Sequence, residues 1–101
     1  MSEYKIEVVE KKEGAEIHCS GNLVINNIEK IVEYIRENVS LERGYTLCVD
    51  NPENIDITFI QLIISMRKQI EASSNKLAVK MELKDDMRQL ISKAGLDYAI
   101  K

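Results

Sequence analysis

The sequence lacks most of the residue groupings on which enzymes and metal proteins rely. Its 101 residues include one histidine, His18, so it has no histidine pair to hold a metal ion. The four glycines are isolated from one another, which excludes a glycine-rich phosphate loop. A lone histidine on a strand is usually a surface or packing residue, and a ligand or general-base role beside a thiolate is the alternative. We expect no enzyme activity, no catalytic residues and no bound metal or cofactor.

Cysteine is also scarce. Cys19 and Cys48 stand in separate apolar, strand-like segments, and neither has a second cysteine two residues away. Isolated thiols of this kind behave as small apolar side chains. We expect both to be buried and reduced, with a redox or metal role as the alternative.

Long runs of basic residues and long runs of apolar residues are missing as well. The net charge is -3 and no basic run reaches five residues, which argues against nucleic acid or an anionic membrane as the partner. No apolar run approaches the roughly 20 residues that cross a bilayer. The first residues show no basic segment followed by an apolar one, so no signal peptide is visible. The sequence therefore predicts one cytoplasmic domain, residues 1–101, without direct membrane insertion.

The chain does show a regular succession of strand and helix patterns. Apolar and polar residues alternate in two N-terminal segments, which predicts a hairpin, and later segments have helical spacing. The predicted elements are strands at 4–10 and 15–20, a helix at 25–39, a strand at 45–50, a helix at 58–72, a strand at 76–81 and a helix at 85–94. This order, β-β-α-β-α-β-α, predicts an α/β fold with a mixed sheet of four to five strands and three to four helices.

The ends of these elements carry their own signals. Asn26 or Asn27 is predicted to cap the first helix, since a short polar side chain can accept a bond from a free backbone N–H. The strand at 45–50 is apolar enough to be covered on both faces. Pro52 marks a turn after it. Gly95 is predicted to end the last helix in a left-handed conformation.

One segment, residues 54–62, follows the central strand and enters the most apolar helix. Binding sites in open α/β sheets gather beyond the carboxyl ends of strands. Thr58 is well placed to carry a phosphate there, because free N–H groups at a helix start stabilise negative charge. Thr58 and Gln61 also match a capping box, with Ile57 and Leu62 as a hydrophobic staple. Thr58 is therefore a cap alone, or a cap and a modification site.

The helix that begins there is apolar around most of its circumference, so its side chains cannot all face one sheet. A surplus of exposed apolar residues is typical of a protein-binding surface. The core side is assigned to Ile60, Ile63 and Ile64, and the exposed contact surface to Phe59, Leu62 and Met66. The alternative is that all six are buried.

Four short motifs, spread over nearly the whole chain, point to a known family. They are Ser20-Gly21-Asn22-Leu23, Leu47-Cys48-Val49-Asp50, Asp56-Ile57-Thr58 and Lys93-Ala94-Gly95-Leu96. Together with the order of elements, they resemble the STAS domain, the fold shared by bacterial anti-sigma factor antagonists and sulfate-transporter tails.

The resemblance implies a partner switch in signal transduction and transcription regulation. Thr58 matches the position that is phosphorylated by a serine/threonine kinase, which is itself the anti-sigma factor. The unmodified domain binds this kinase, and the phosphoprotein releases it. The partner-binding residues implied are Asp56, Ile57, Thr58, Phe59, Gln61, Leu62 and Met66.

A second subclass of the family leaves an alternative open. Ile57 and Phe59 stand where partner-switching members usually have serine and glycine. The pair Gln61-Leu62 looks more like the subclass associated with phospholipid-transport ABC complexes, in which the domain docks on the ATPase subunit. Both functions make the chain a protein-binding module, and the sequence also leaves a weak homodimer open.

Overall fold

A mixed sheet and three helices make up the part of the chain that the computed structural model describes, residues 3–12 and 14–96. The elements are β1 (Tyr4–Lys11), β2 (Gly14–Leu23), α1 (Ile25–Asn38), β3 (Tyr45–Asp50), β4 (Asn54–Ile55), α2 (Ile57–Ala72), β5 (Leu77–Glu82) and α3 (Asp85–Lys93). The predicted α/β class and order of elements are confirmed, with β4 as an addition.

The strands follow the order β1-β2-β3-β5 across the sheet. Strands β1 and β2 form the predicted antiparallel hairpin, while β3 pairs parallel with both β2 and β5. The short β4 pairs with the last residues of β2, where Asn22 lies opposite Asn54. The sequence prediction ended β2 before Gly21 and missed β4, because a strand of two residues has no periodicity to detect.

The helices cover one face of this sheet. Both crossovers, β2–α1–β3 and β3–α2–β5, step along the sheet in the same direction, and right-handed connections then place both helices on the same side. The core cluster contains Ile17 and Cys19 of β2 and Leu47 and Val49 of β3. Cys48 is also buried but lies outside that cluster, on the opposite face.

The open face is polar. In the register of β2 with β3, Glu16 lies opposite Thr46 and His18 opposite Cys48, and Asp50 lies two residues further along β3. Asp50 is exposed, and Glu16 and His18 are partly exposed. The prediction that β3 is covered on both faces is therefore wrong for the described residues. Cys48 is buried by its neighbours within the sheet rather than by a helix layer.

The last helix ends as the sequence predicts. Gly95 has a φ of 73°, and its amide donates to the carbonyl of Ser92 at 2.9 Å. The amide of Leu96 donates to the carbonyl of Ile91 at 3.1 Å. These two bonds form a Schellman motif, which satisfies carbonyls at the end of α3.

Gly21 is a position where only glycine fits the backbone. Its φ is 82°, and a Cβ added there would lie 2.7 Å from the carbonyl oxygen of Glu3 and 2.9 Å from the Cα of Tyr4. We expect Gly21→Ala to lower the free energy of unfolding by more than about 1 kcal/mol, because strain and a backbone clash add. Urea unfolding measures this, and Gly14→Ala, with a left-handed φ but open space around it, separates strain from clash.

Within the described residues, no helix combines the length and the apolar character needed to cross a bilayer.

Candidate functional site

A single carboxylate, that of Asp56, caps two helices at once. Its Oδ1 accepts a hydrogen bond from the backbone amide of Thr58 at 3.0 Å, at the start of α2. Its Oδ2 accepts from the backbone amide of Ile25 at 2.8 Å, at the start of α1. Each of these amides lies in the first turn of a helix, where backbone N–H groups have no acceptor within their own helix. Asp56 therefore ties the N-termini of α1 and α2 together.

This arrangement corrects the caps predicted for both helices, while α1 begins at Ile25 as predicted. The N-cap position of α1 is Val24, which makes no side-chain capping bond, and the cap comes from Asp56 instead. The Asn27 side chain donates to the carbonyl of Asn22 at 2.8 Å, so it braces the end of β2 and does not cap the helix. Sequence reasoning missed this cap because the acceptor lies 31 residues from Ile25.

The capping box predicted for α2 is also wrong. The helix begins at Ile57 with Asp56 as its N-cap, so Thr58 is the second helical residue and not the cap. The Thr58 hydroxyl donates to Oδ1 of Asp56. Thr58 is half-buried and Gln61 is exposed. The hydroxyl thus lies at the helix start, as expected for a modification site, but it is held by the carboxylate.

Electrostatics favour the charged form of this carboxylate. Partial burial alone would raise the pKa of Asp56, but hydrogen bonds from the Thr58 side chain and from the amides of Ile25, Thr58 and Phe59 outweigh it. The net effect lowers the pKa of Asp56 below its usual value. Asp56 is therefore ionised at neutral pH and keeps both capping bonds.

Exposed apolar side chains surround this junction. Ile25 is 60% exposed, Ile57 is 49% exposed and Leu90 is 56% exposed, and we call these three the apolar patch. Ile57 and Leu90 line one groove of about 260 Å³, and Ile25 joins the same region through its bond to Asp56. The groove is lined by Ile55, Asp56, Ile57, Ile60, Leu90, Ile91, Ala94 and Leu96.

Only part of the predicted contact surface is on this patch. Asp56 lines the groove and Thr58 bonds to Asp56, Ile57 and Gln61 are exposed, and Leu62 is half-buried. The exposure expected for Phe59 and Met66 is wrong, since they are 1% and 4% exposed and belong to the core cluster. Both lie on the same stripe of α2, which packs into the interior. The buried residues of that helix are Phe59, Ile60, Ile63, Met66 and Ile70.

Two members of the patch were not predicted to be exposed. Leu90 is exposed because the short helix α3 buries only Met87 and Ile91, four residues apart. Leu90 lies beside that narrow stripe, at the edge of the groove. Ile25 opens α1 before its periodic core positions begin, so its exposure has only a weak sequence signal.

A second polar cluster lies on the open sheet face. The ring of His18 bridges two carboxylates, with Nδ1 3.0 Å from Asp50 Oδ2 and Nε2 2.8 Å from Glu16 Oε1. The bonds to Asp50 and then to Glu16 raise the pKa of His18, against a smaller opposing effect of burial. Glu16 also pairs with Lys11 at 3.0 Å. The charges of this cluster are therefore matched within it.

Cys48 lies beside that histidine, but its thiol is not activated as a nucleophile. Burial raises the pKa of the Cys48 thiol, and a protonated thiol is a poor nucleophile. Burial also raises the pKa of Cys19 to about 12, on the core side of the sheet. Both cysteines are free and buried, as the sequence predicts. The histidine and the thiol meet on the open face of the sheet, where they are Cα partners in the register of β2 with β3.

Comparison with known proteins adds no family to these observations. No family model matches the chain, and no curated protein matches it. The fold is that of a one-sided α/β sandwich, and the function must be argued from its surfaces.

Proposed function

We propose that this chain is a cytoplasmic protein-binding module that docks a partner through the apolar patch and is switched by phosphorylation of Thr58. Its class is that of the STAS-type anti-sigma factor antagonists, with a serine/threonine kinase as partner. One observation carries the proposal: the exposed large apolar side chains of the described residues gather around a helix start that bears a hydroxyl.

The patch has the chemistry of a docking surface. Ile25, Ile57 and Leu90 are each about half or more exposed, and the groove between the last two is almost wholly apolar. Burying the exposed part of each side chain against a partner contributes about 1 kcal/mol. Asp56 lines this groove and Thr58 bonds to Asp56, and polar groups beside an apolar surface fix the register of a bound partner.

Phosphorylation would act on the carboxylate that joins the two helices. The Thr58 hydroxyl now donates to Asp56, and a phosphate removes that donor and adds a charge of about -1.5 to -2 beside the carboxylate. The phosphate competes with Asp56 for the free amides at the start of α2. Displacing Asp56 would also break its bond to Ile25, so the modification alters both the charge and the shape of the patch.

The alternative function keeps the same surface without the modification. In this function the chain docks on the ATPase of a phospholipid-transport ABC complex, and Thr58 only orders the contact surface. The hydrogen bond from its hydroxyl to Asp56 favours this alternative, since a kinase must first draw the hydroxyl away from the carboxylate.

Affinity capture with paired baits tests both functions. The wild type and Thr58→Glu are each used to capture partners from native cell extract, and the phosphate on residue 58 is mapped by mass spectrometry. We expect the wild type to retain a serine/threonine kinase that Thr58→Glu loses. We also expect that purified kinase, given ATP, transfers phosphate to Thr58 of the wild type and none to Thr58→Val.

Matched charge variants locate the surface. Ile57→Glu places a charge in the patch, while Ala72→Glu places the same charge on an exposed position at the other end of α2. Only Ile57→Glu should lose the partner. If both paired baits instead retain a transporter ATPase and residue 58 is never modified, the alternative function is correct. Equal retention by Ile57→Glu and Ala72→Glu would show that the partner binds elsewhere.

A further inference from the structure

We propose that Glu16, His18 and Cys48 form a binding site for a divalent transition-metal ion of the zinc type, with Asp50 as a positioning residue. The site lies on the open sheet face and is independent of the proposed docking function. It replaces the sequence expectation that the chain binds no metal, because the ligands come together only through strand pairing.

The backbone brings three different donor atoms to one place. Glu16 and His18 alternate on β2 and point to the same face, and His18 lies directly opposite Cys48 on β3. A carboxylate oxygen, a ring nitrogen and the sulfur of these residues all lie within 4.8 Å of one another. A tetrahedral zinc ion holds such atoms about 3.3 to 3.6 Å apart, given its usual bond lengths. Small side-chain rotations therefore suffice to close the site.

The histidine is already oriented for ligation. Asp50 Oδ2 lies 3.0 Å from Nδ1 of His18, which directs Nε2 toward Glu16. A carboxylate that accepts the second ring N–H of a metal-bound histidine fixes the tautomer and the ring plane, and it makes the ligand nitrogen more basic. Asp50 is thus placed to position His18 without touching the ion.

Charge is balanced when the metal ion binds, because the ligands release protons in exchange. Coordination takes the proton from the Cys48 thiol and the proton from His18 Nε2, so two protons leave as one doubly charged ion enters. The ion also takes the place of His18 and Lys11 at Glu16 Oε1, which both contact that oxygen. With one carboxylate, one thiolate and one neutral imidazole, the ligands neutralise the ion. A water molecule completes four-coordination on the exposed side.

The donor set selects the metal class. Thiolate and imidazole favour zinc and its neighbours, whereas magnesium and calcium need sets of oxygen ligands. Glu16 and His18 are partly exposed, so an ion reaches the site from solvent without opening the fold.

Cobalt(II) titration tests the site, because cobalt replaces zinc and reports thiolate ligation by absorbance. We expect one equivalent to bind the reduced protein, with a thiolate-to-cobalt charge-transfer band and the visible bands of tetrahedral cobalt, and zinc should displace it. Cys48→Ser should lose the charge-transfer band. His18→Gln and Glu16→Gln should weaken binding at least tenfold. Asp50→Asn should weaken it about 10- to 100-fold while keeping the band.

Matched controls separate this site from adventitious binding. Cys19→Ala removes the other thiol, on the opposite face, and Glu37→Gln removes an exposed helix carboxylate. Both should bind cobalt like the wild type, and circular dichroism confirms the fold of every variant. The proposal is overturned if wild type gives no charge-transfer band, or if the band survives in Cys48→Ser.

Discussion

Replacing Phe59 with alanine is expected to lower the free energy of unfolding by about 3 to 5 kcal/mol, the usual cost of removing a buried aromatic side chain. Phe59 is 1% exposed and belongs to the core cluster between the sheet and the helices. Removal of the ring leaves a cavity that the well-packed neighbouring side chains cannot fill. Urea unfolding, followed by far-UV circular dichroism, measures the change.

Neighbouring variants on the same helix serve as controls. Leu62→Ala, at a half-buried position, should cost clearly less than Phe59→Ala, and Gln61→Ala, at an exposed one, should change stability by less than about 0.5 kcal/mol. Phe59→Leu keeps much of the volume and should bind the partner like the wild type once folded. A loss of partner binding in a stably folded Phe59→Leu would mean that Phe59 contacts the partner.

Phe59 was wrongly predicted to be exposed because apolar residues are spread around most of the circumference of α2. Period-3.6 spacing marks a core stripe only where polar residues occupy the other side, and α2 has too few of them near its start. Helical spacing continues without a break through Phe59, Ile63, Met66 and Ile70. This spacing, traced to the end of the helix, is the sequence signal that indicates the buried stripe. The helices α1 and α3 show clearer amphipathic patterns, and their positions in the chain were predicted well.

The fold was more predictable than its sites for a physical reason. Alternation, helical spacing and the final glycine are local, and they establish the order of elements and the mixed sheet, but they do not show that one face of the sheet is open. The sites depend on long-range pairing. The bond between Asp56 and Ile25 joins residues 31 apart, and His18 meets Cys48 only because β2 and β3 pair in one particular register. No local pattern carries that information.

Replacing Asp56 with alanine is expected to lower the free energy of unfolding by about 2 kcal/mol. Loss of one N-cap costs about 1 kcal/mol, and Asp56 caps both α1 and α2. Asp56→Asn is the informative partner variant, because asparagine caps a single helix as well as aspartate but offers only one acceptor oxygen. It should lose about half as much stability, and its remaining cap should serve one helix. Hydrogen exchange at the amides of Ile25 and Thr58 identifies which one.

The same carboxylate should make stability depend on pH. Because folding lowers the pKa of Asp56, its contribution is fully present above the unfolded value of about 3.9 and is lost as the pH falls through the lower folded value. The stability gap between wild type and Asp56→Asn, measured by urea unfolding, should be constant from neutral pH to about pH 5 and shrink below about pH 4. A gap that stayed constant down to pH 2 would mean that Asp56 caps the helices without its charge. A near-zero loss for Asp56→Asn beside a loss of about 1 kcal/mol for Asp56→Ala would mean that Asp56 serves one helix alone, and the link between α1 and α2 on which the Thr58 switch depends would be absent.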